Sequence, residues 1–299
     1  MTPAIIGTRG SALAVAQTRL VMTKLKRVWP GRNFEIRTIK TRGDALAENP
    51  AADQNLDKGL FTAELERALL AKNIDIAVHS LKDMPTDETP GLILGAITKR
   101  VDARDVLITR GEESLRALLS YAVVATGSPR RAAQINLARP DIRTEDIRGN
   151  IDTRLRKFRE NPEWGGLVLA AAGLERLKPD LKGLTVTPLP FETMLPAPGQ
   201  GALAVQTRTG DRDILDLLKP LHDAETAARV AAERMFLHAL GGGCDEPIAA
   251  YAEVSGDNLL RLDGIAWLVG EYEPRRGYLL RSLNQPDLLG VDLAVELSR

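Results

Sequence analysis

Ala4-Ile5-Ile6-Gly7-Thr8-Arg9-Gly10-Ser11-Ala12-Leu13-Ala14 is the stretch that decides the fold. Its apolar run, Ala4 to Gly7, reads as a strand that ends in a polar turn. Ser11 then sits where a helix N-cap belongs, and a helix is expected over Ser11 to Arg27 with apolar positions at Leu13, Ala16, Leu20 and Leu25. The same alternation continues outward. Strands are expected at Phe34 to Lys40, Ile74 to Val78, Leu92 to Thr98, Asp105 to Thr109, Ala122 to Ala125 and Leu167 to Ala170. Helices are expected at Phe61 to Ala71, Pro129 to Ala138 and Ile151 to Glu160. Strands separated by helices of this length argue for βαβ units and a largely parallel sheet.

The last third differs. A long helix from about Asp223 to Leu240 leads into a glycine run, and three strands follow at Ile248 to Val254, Leu259 to Val269 and Gly277 to Ser282, before a helix over Asp287 to Leu297. Three consecutive strands flanked by helices predict a small antiparallel α+β domain. Thr98 to Asp105 and Pro188 to Gly201 read as crossings between domains.

With 299 residues the chain has room for two or three cores. Its 40 basic and 40 acidic residues cancel, and aromatic residues make up only 4%, which argues against nucleic acid. No apolar run is long enough to span a membrane. No export signal is expected at the N-terminus, and a single cysteine fits a reducing, cytoplasmic setting. His79, His222 and His238 are too dispersed to suggest a metal. Of the 40 basic residues, 29 are Arg, the side chain suited to gripping carboxylates or phosphates with a planar fork.

Several of these arginines stand at helix starts. Arg9 precedes Ser11; Thr126-Gly127-Ser128-Pro129-Arg130-Arg131 has Ser128 as cap and Pro129 at the first helical position; Arg148-Gly149-Asn150 leads to Arg154 with Asn150 as cap. Free backbone N–H groups and added guanidiniums make such turns anion sites, and in open α/β sheets they collect along one edge. A GxxxxGK[ST] loop and a GxGxxG after a strand are both missing, so a polycarboxylate suits these turns better than a nucleotide. Cys244 ends the run Gly241-Gly242-Gly243-Cys244, a sterically bare tether for a thiol that has no disulfide partner. The plain alternative is a buried, inert cysteine.

Taken together, the chain resembles the porphobilinogen deaminase family. The resemblance is carried by Gly7-Thr8-Arg9-Gly10-Ser11 with Gln17, Lys58-Gly59-Leu60-Phe61, His79-Ser80-Leu81-Lys82-Asp83-Met84-Pro85 and Thr126 to Arg131. It continues through Ile147-Arg148-Gly149-Asn150 with Arg154, Ala172-Gly173-Leu174-Glu175-Arg176, Pro198-Gly199-Gln200-Gly201 and Gly242-Gly243-Cys244. Each motif is weakly specific, but their order is not.

The resemblance implies an α/β fold of two doubly wound lobes like those of periplasmic binding proteins, with the active cleft between them, plus a small C-terminal α+β domain. The expected boundaries are 1–99 with 199–218, then 100–198, then 219–299. It implies that porphobilinogen units are joined head to tail into linear hydroxymethylbilane, with loss of ammonia, on a covalent dipyrromethane cofactor. Cys244 matches the position that holds this primer by a thioether, and Asp83 matches the catalytic carboxylate. Lys82, Asp83, Thr126, Ser128, Arg130 and Arg131 match cofactor-binding positions. Arg9, Ser11, Gln17, Arg148, Arg154, Arg176 and Gln200 match positions that handle substrate and the growing chain. The family suggests a monomer.

Asp245-Glu246 departs from the residues familiar after this cysteine and places two carboxylates beside an anion site, which would raise the thiol pKa unless they point away. Two rival readings remain on the residues alone. One is a two-lobed anion-binding protein without catalysis, and the other is a cysteine hydrolase using Cys244 with His238.

Overall fold

The computed structural model describes residues 2–41, 62–111, 114–242, 246–256, 258–268, 270–271 and 273–299. The chain divides into two compact units, Met1–Val101 with Ala202–Ala227, and Asp102–Gly201 with Ala228–Arg299.

The first unit holds a five-stranded sheet of order β2-β1-β3-β10-β4, with β1 Ala4–Arg9, β2 Phe34–Ile39, β3 Ile76–Ser80, β4 Leu92–Ile97 and β10 Leu203–Arg208. β1 runs parallel to β2 and β3, whereas β10 is antiparallel to both β3 and β4. The largely parallel sheet expected from the alternation is thus mixed, and the reversed strand is the one that re-enters after the excursion into the second unit. Successive strand residues point to opposite faces. Ile6, Ile76 and Val78 therefore pack with Val21 and Leu25 of the Ala12–Val28 helix and with Leu217 and Leu218 of the Arg212–Leu218 helix. Ile5 and Ala77, one residue along, meet Leu65 and Leu69 of the Ala63–Leu70 helix on the other face.

The second unit carries a sheet of order β7-β6-β8-β5-β9, from Arg143–Glu145, Val123–Ala125, Trp164–Ala170, Asp105–Thr109 and Thr185–Pro188 respectively. β6 is parallel to β7 and β8, and β5, the strand that follows the crossing, is antiparallel to β8 and β9. Val106, Val123 and Leu167 pack on Leu155 and Phe158 of the Ile151–Glu160 helix. Leu107, Val124 and Val168 pack with Ile135 of the Pro129–Ala138 helix on the opposite face. Both five-stranded sheets are doubly wound, as expected.

The same unit contains a second sheet, β11 Ile248–Val254, β12 Leu259–Ala266 and β13 Arg275–Ser282, antiparallel throughout. Leu260 and Leu262 pack on Phe236 of the Ala224–Ala239 helix and on Leu289 and Leu293 of the Pro286–Leu297 helix. The alternate residues Ala249 and Ile265 face Leu195 on the reverse side.

Four short elements were not anticipated: β7, β9 and the helices Ala171–Leu177 and Arg212–Leu218. Two caps also differ. Ser11 accepts from Ala14 N, but Ser128 and Asn150 occupy N-cap positions without a side-chain cap bond. Pro129 already starts its helix with a fixed φ, which lessens the need for a hydroxyl cap there.

Candidate active site

In the first unit, β1 and β3 are parallel neighbours, with Gly7 opposite Ala77. Their carboxyl ends therefore emerge together, and Arg9, Ser11, Gln17, His79, Ser80 and Asp83 line one small cleft. Gly7 makes room on the sheet face for Ile74, whose Cδ1 would lie 2.3 Å from a Cβ there. The turn after β3 is a single 3-10 turn over Leu81–Asp83, closed by Met84 N donating to Leu81 O at 3.1 Å. It leaves Lys82 and Asp83 half-buried at the sheet edge. Gln17 Nε2 donates to Ser80 Oγ at 2.9 Å, which fixes the serine on the cleft wall.

His79 is a site residue that the motif contained but that had no assigned role. It is 5% exposed, and its Nε2 lies 3.2 Å from Gln206 Oε1. Gln206 Nε2 in turn donates to Glu66 Oε1 at 3.1 Å, and Glu66 Oε2 accepts from Thr89 Oγ1 at 2.9 Å. A carboxylate only accepts, so the glutamine amide turns its oxygen toward the imidazole, and His79 carries its proton on Nε2. Burial pushes the His79 pKa down to about 4, partly offset by the Gln206 hydrogen bond and helped by the positive charge of Arg9. The ring is neutral at pH 7.

In the second unit, Thr126 follows β6 and its Oγ1 accepts from Ser128 N at 3.3 Å. Gly127 is confined against the strand that leads to Arg148, since a Cβ there would meet Ile147 O at 2.5 Å. The turn delivers Arg130 and Arg131 into the interior, where they are 4% and 5% exposed. Both converge on Asp105, a residue that sequence reasoning missed. Arg131 Nη2 donates to Asp105 Oδ1 at 2.8 Å, and Arg130 Nη1 lies 2.8 Å from Oδ2 as an ion contact outside good hydrogen-bond angles. Arg130 Nη1 also donates to Leu195 O at 2.6 Å and Arg131 Nη1 to Val168 O at 3.1 Å. Burial alone would raise the Asp105 pKa, but the two guanidiniums outweigh it and hold the carboxyl far below its usual range. Burial lowers the Arg130 pKa, with Asp105 opposing that shift and Arg131 adding to it.

Gln200 is buried too, donating to Ala103 O at 2.7 Å and to Asp105 Oδ1 at 2.9 Å. Arg176 Nη2 donates to Gly201 O at 2.6 Å, and burial pulls its pKa to about 10 against the pull of Glu175. Arg154 Nε donates to Gly149 O at 2.7 Å, whereas Arg148 is exposed and pairs with Asp146 at 2.8 Å. Cys244 and the Lys58 to Phe61 motif lie outside the described residues. Glu246, two positions on, is exposed.

These residues suit a carboxylate-bearing cofactor. Among the described residues, the two buried guanidiniums share one carboxylate, which leaves one positive charge over, and Arg131 Nε is buried with no hydrogen-bond partner. An unbalanced buried charge is costly, and an acid group of a ligand beside these guanidiniums offsets it. Among the described residues, no group of three His, Cys, Asp or Glu could hold a metal ion. No described helix is long and apolar enough to cross a membrane.

Comparison with known proteins gives the family. Residues 4–216 match the profile of the "Porphobilinogen deaminase, dipyromethane cofactor binding domain", and residues 227–299 match "Porphobilinogen deaminase, C-terminal domain". The porphobilinogen deaminase of Thermus thermophilus is 46% identical, covering 98% of this chain and 95% of that protein. The Brevibacillus brevis protein of the same name is 45% identical over 98% and 93%, and the Deinococcus radiodurans one 44% over 99% and 96%. Two domain profiles spanning nearly the whole chain, with relatives matched end to end, place this chain in the porphobilinogen deaminase family.

Proposed function

We propose that this chain is a hydroxymethylbilane synthase, a transferase that condenses porphobilinogen into linear hydroxymethylbilane with release of ammonia, on a dipyrromethane carried by Cys244. The single observation that carries this reading is the buried Arg130–Arg131 pair, which among the described residues shares the one carboxylate of Asp105. When bound, a dipyrromethane supplies the pyrrole ring onto which the first substrate is joined.

Cys244 suits covalent attachment because a thiolate is a strong nucleophile and a thioether does not hydrolyse as an ester would. Arg130 and Arg131, with Thr126 and Ser128, are the groups of the second unit that hold the primer's acid side chains, and Lys82 is carried over as a further cofactor-binding position by its place in the motif. Each charge-assisted hydrogen bond so formed contributes about 1.5–3 kcal/mol. Arg9, Ser11 and Gln17 in the first unit take the acetate and propionate of the incoming monomer. Arg148, Arg154, Arg176 and Gln200 serve the substrate and the growing chain in the second unit, although the Gln200 amide reaches the ligand less directly because it is bonded to Asp105.

Asp83 lines the same cleft as Arg9 and Ser11. Its carboxylate accepts hydrogen bonds from pyrrole N–H groups, stabilises the positive charge left when porphobilinogen loses ammonia, and takes up the proton lost on coupling. Among the described residues that line the cleft, Asp83 is the one carboxyl group.

The test is turnover. With porphobilinogen the wild type is expected to release one ammonia per monomer consumed and to yield the linear bilane. Asp83→Ala is expected to lower that rate about 100-fold or more. An enzyme that releases no ammonia sinks the reading, and an Asp83→Ala variant at wild-type turnover removes Asp83 from it.

A further inference from the structure

We propose that Asp105 is a positioning residue for the arginine pair, itself aimed by Gln200. This inference rests on the cofactor role given above to Arg130 and Arg131. An anion buried between two groups that bind anions is at first sight a competitor for the ligand. The geometry argues otherwise. Asp105 takes one terminal nitrogen of each guanidinium, Nη1 of Arg130 and Nη2 of Arg131, and the carbonyls of Leu195 and Val168 take further N–H groups on the protein side. Arg131 is thus held at both terminal nitrogens and Arg130 at its Nη1, which limits the direction of each fork and lets its remaining N–H groups act with less further loss of side-chain freedom.

Asp105 is held in turn. It opens β5, and Gln200 Nε2 spans Ala103 O and Asp105 Oδ1. Gln200 belongs to a loop whose backbone is anchored by Glu233, which is fully buried and accepts from Gly199 N at 2.8 Å and, through its other oxygen, from Ala252 N at 2.8 Å. Gly199 and Gly201 both have positive φ, +76° and +93°, so the loop's conformation depends on glycine on either side of Gln200. The result is one run of buried polar groups from the Ala224–Ala239 helix to the two arginines.

Charge and geometry make opposite predictions for Asp105→Asn. If Asp105 is only a counter-ion, its removal adds a unit of positive charge to the site, and an anionic primer should load at least as fast. If it positions the forks, loading slows despite the added charge. The experiment measures the rate of mass-adduct formation by folded apoprotein with porphobilinogen, well below its thermal midpoint. A role in folding alone lowers the yield of folded protein and leaves the rate per folded molecule unchanged. We expect Asp105→Asn to load at least tenfold slower than wild type. Gln200→Met keeps the charge and removes the orienting donor; it should load severalfold slower, and it decides the matter if Asp105→Asn does not fold. Loading at or above the wild-type rate in the folded variants overturns the proposal. Wild-type protein that takes up no adduct would instead overturn the cofactor reading itself.

Discussion

His79 has the clearest pH signature in the molecule, and its sign follows from linkage. Its pKa falls from 6.5 in the unfolded reference to about 4 in the fold, so the unfolded chain binds the extra proton first. The stability it contributes is complete above pH 6.5 and is lost as pH drops toward 4. At about 1.4 kcal/mol per pH unit, that window amounts to roughly 3 kcal/mol. His79→Asn can still donate to Gln206 but cannot titrate. Urea midpoints taken at pH 7 and near pH 4 should therefore fall less in the variant than in the wild type, and equal losses would mean that His79 is not a buried neutral group. Asp105 teaches a complementary lesson about reading residues. The motif Ser128-Pro129-Arg130-Arg131 showed that two arginines were held at a helix start, but their counter-ion lies about 25 positions earlier, in a segment read as a crossing that runs into a strand. Only the pairing of β5 with β8 brings it beneath them.

Elements of strong period were legible, and the misses have physical causes. The helices Pro129–Ala138 and Ile151–Glu160 stand at the bounds expected from caps and apolar spacing. β7 is Arg143-Thr144-Glu145, a three-residue edge strand with no apolar residue to mark it, and β9 is likewise an edge strand. The Ala171–Leu177 helix contains Gly173, read only as part of a motif, yet a Cβ there would lie 2.8 Å from Ile151 Cδ1. The two antiparallel strands in otherwise parallel sheets follow from chain crossings, which no local pattern records. A test at this level comes from the helix pair of the C-terminal sheet. Gly290 packs so closely that a Cβ would lie 2.5 Å from Ala232 O and 2.7 Å from Phe236 N. Backbone cannot yield as a flexible side chain can, so Gly290→Ala should destabilise by about 1–3 kcal/mol in thermal or urea unfolding. A gain of about 1 kcal/mol, the value of Ala over Gly in an unconstrained helix, would show that the two helices do not touch there.

Over the whole chain, the turns that bear arginine were readable because helix starts, caps and cations are local features, whereas burial is not. Arg130 and Arg131 turned out to be buried, Arg176 half-buried and Arg148 exposed, a distinction with no signature in the motifs themselves. The balance of 40 acidic and 40 basic residues hides a buried cluster with one positive charge in excess among the described residues, since net charge says nothing about where charges sit. Asp245 and Glu246 beside Cys244 set the sharpest demand on the account, because like charge disfavours the thiolate that attachment needs. The intact mass of freshly purified, folded protein decides the matter most directly. A dipyrromethane bound through sulfur makes the wild type heavier than its polypeptide by that group, and Cys244→Ser has the polypeptide mass alone. Wild-type protein at the bare polypeptide mass, unchanged after incubation with porphobilinogen, would contradict the account.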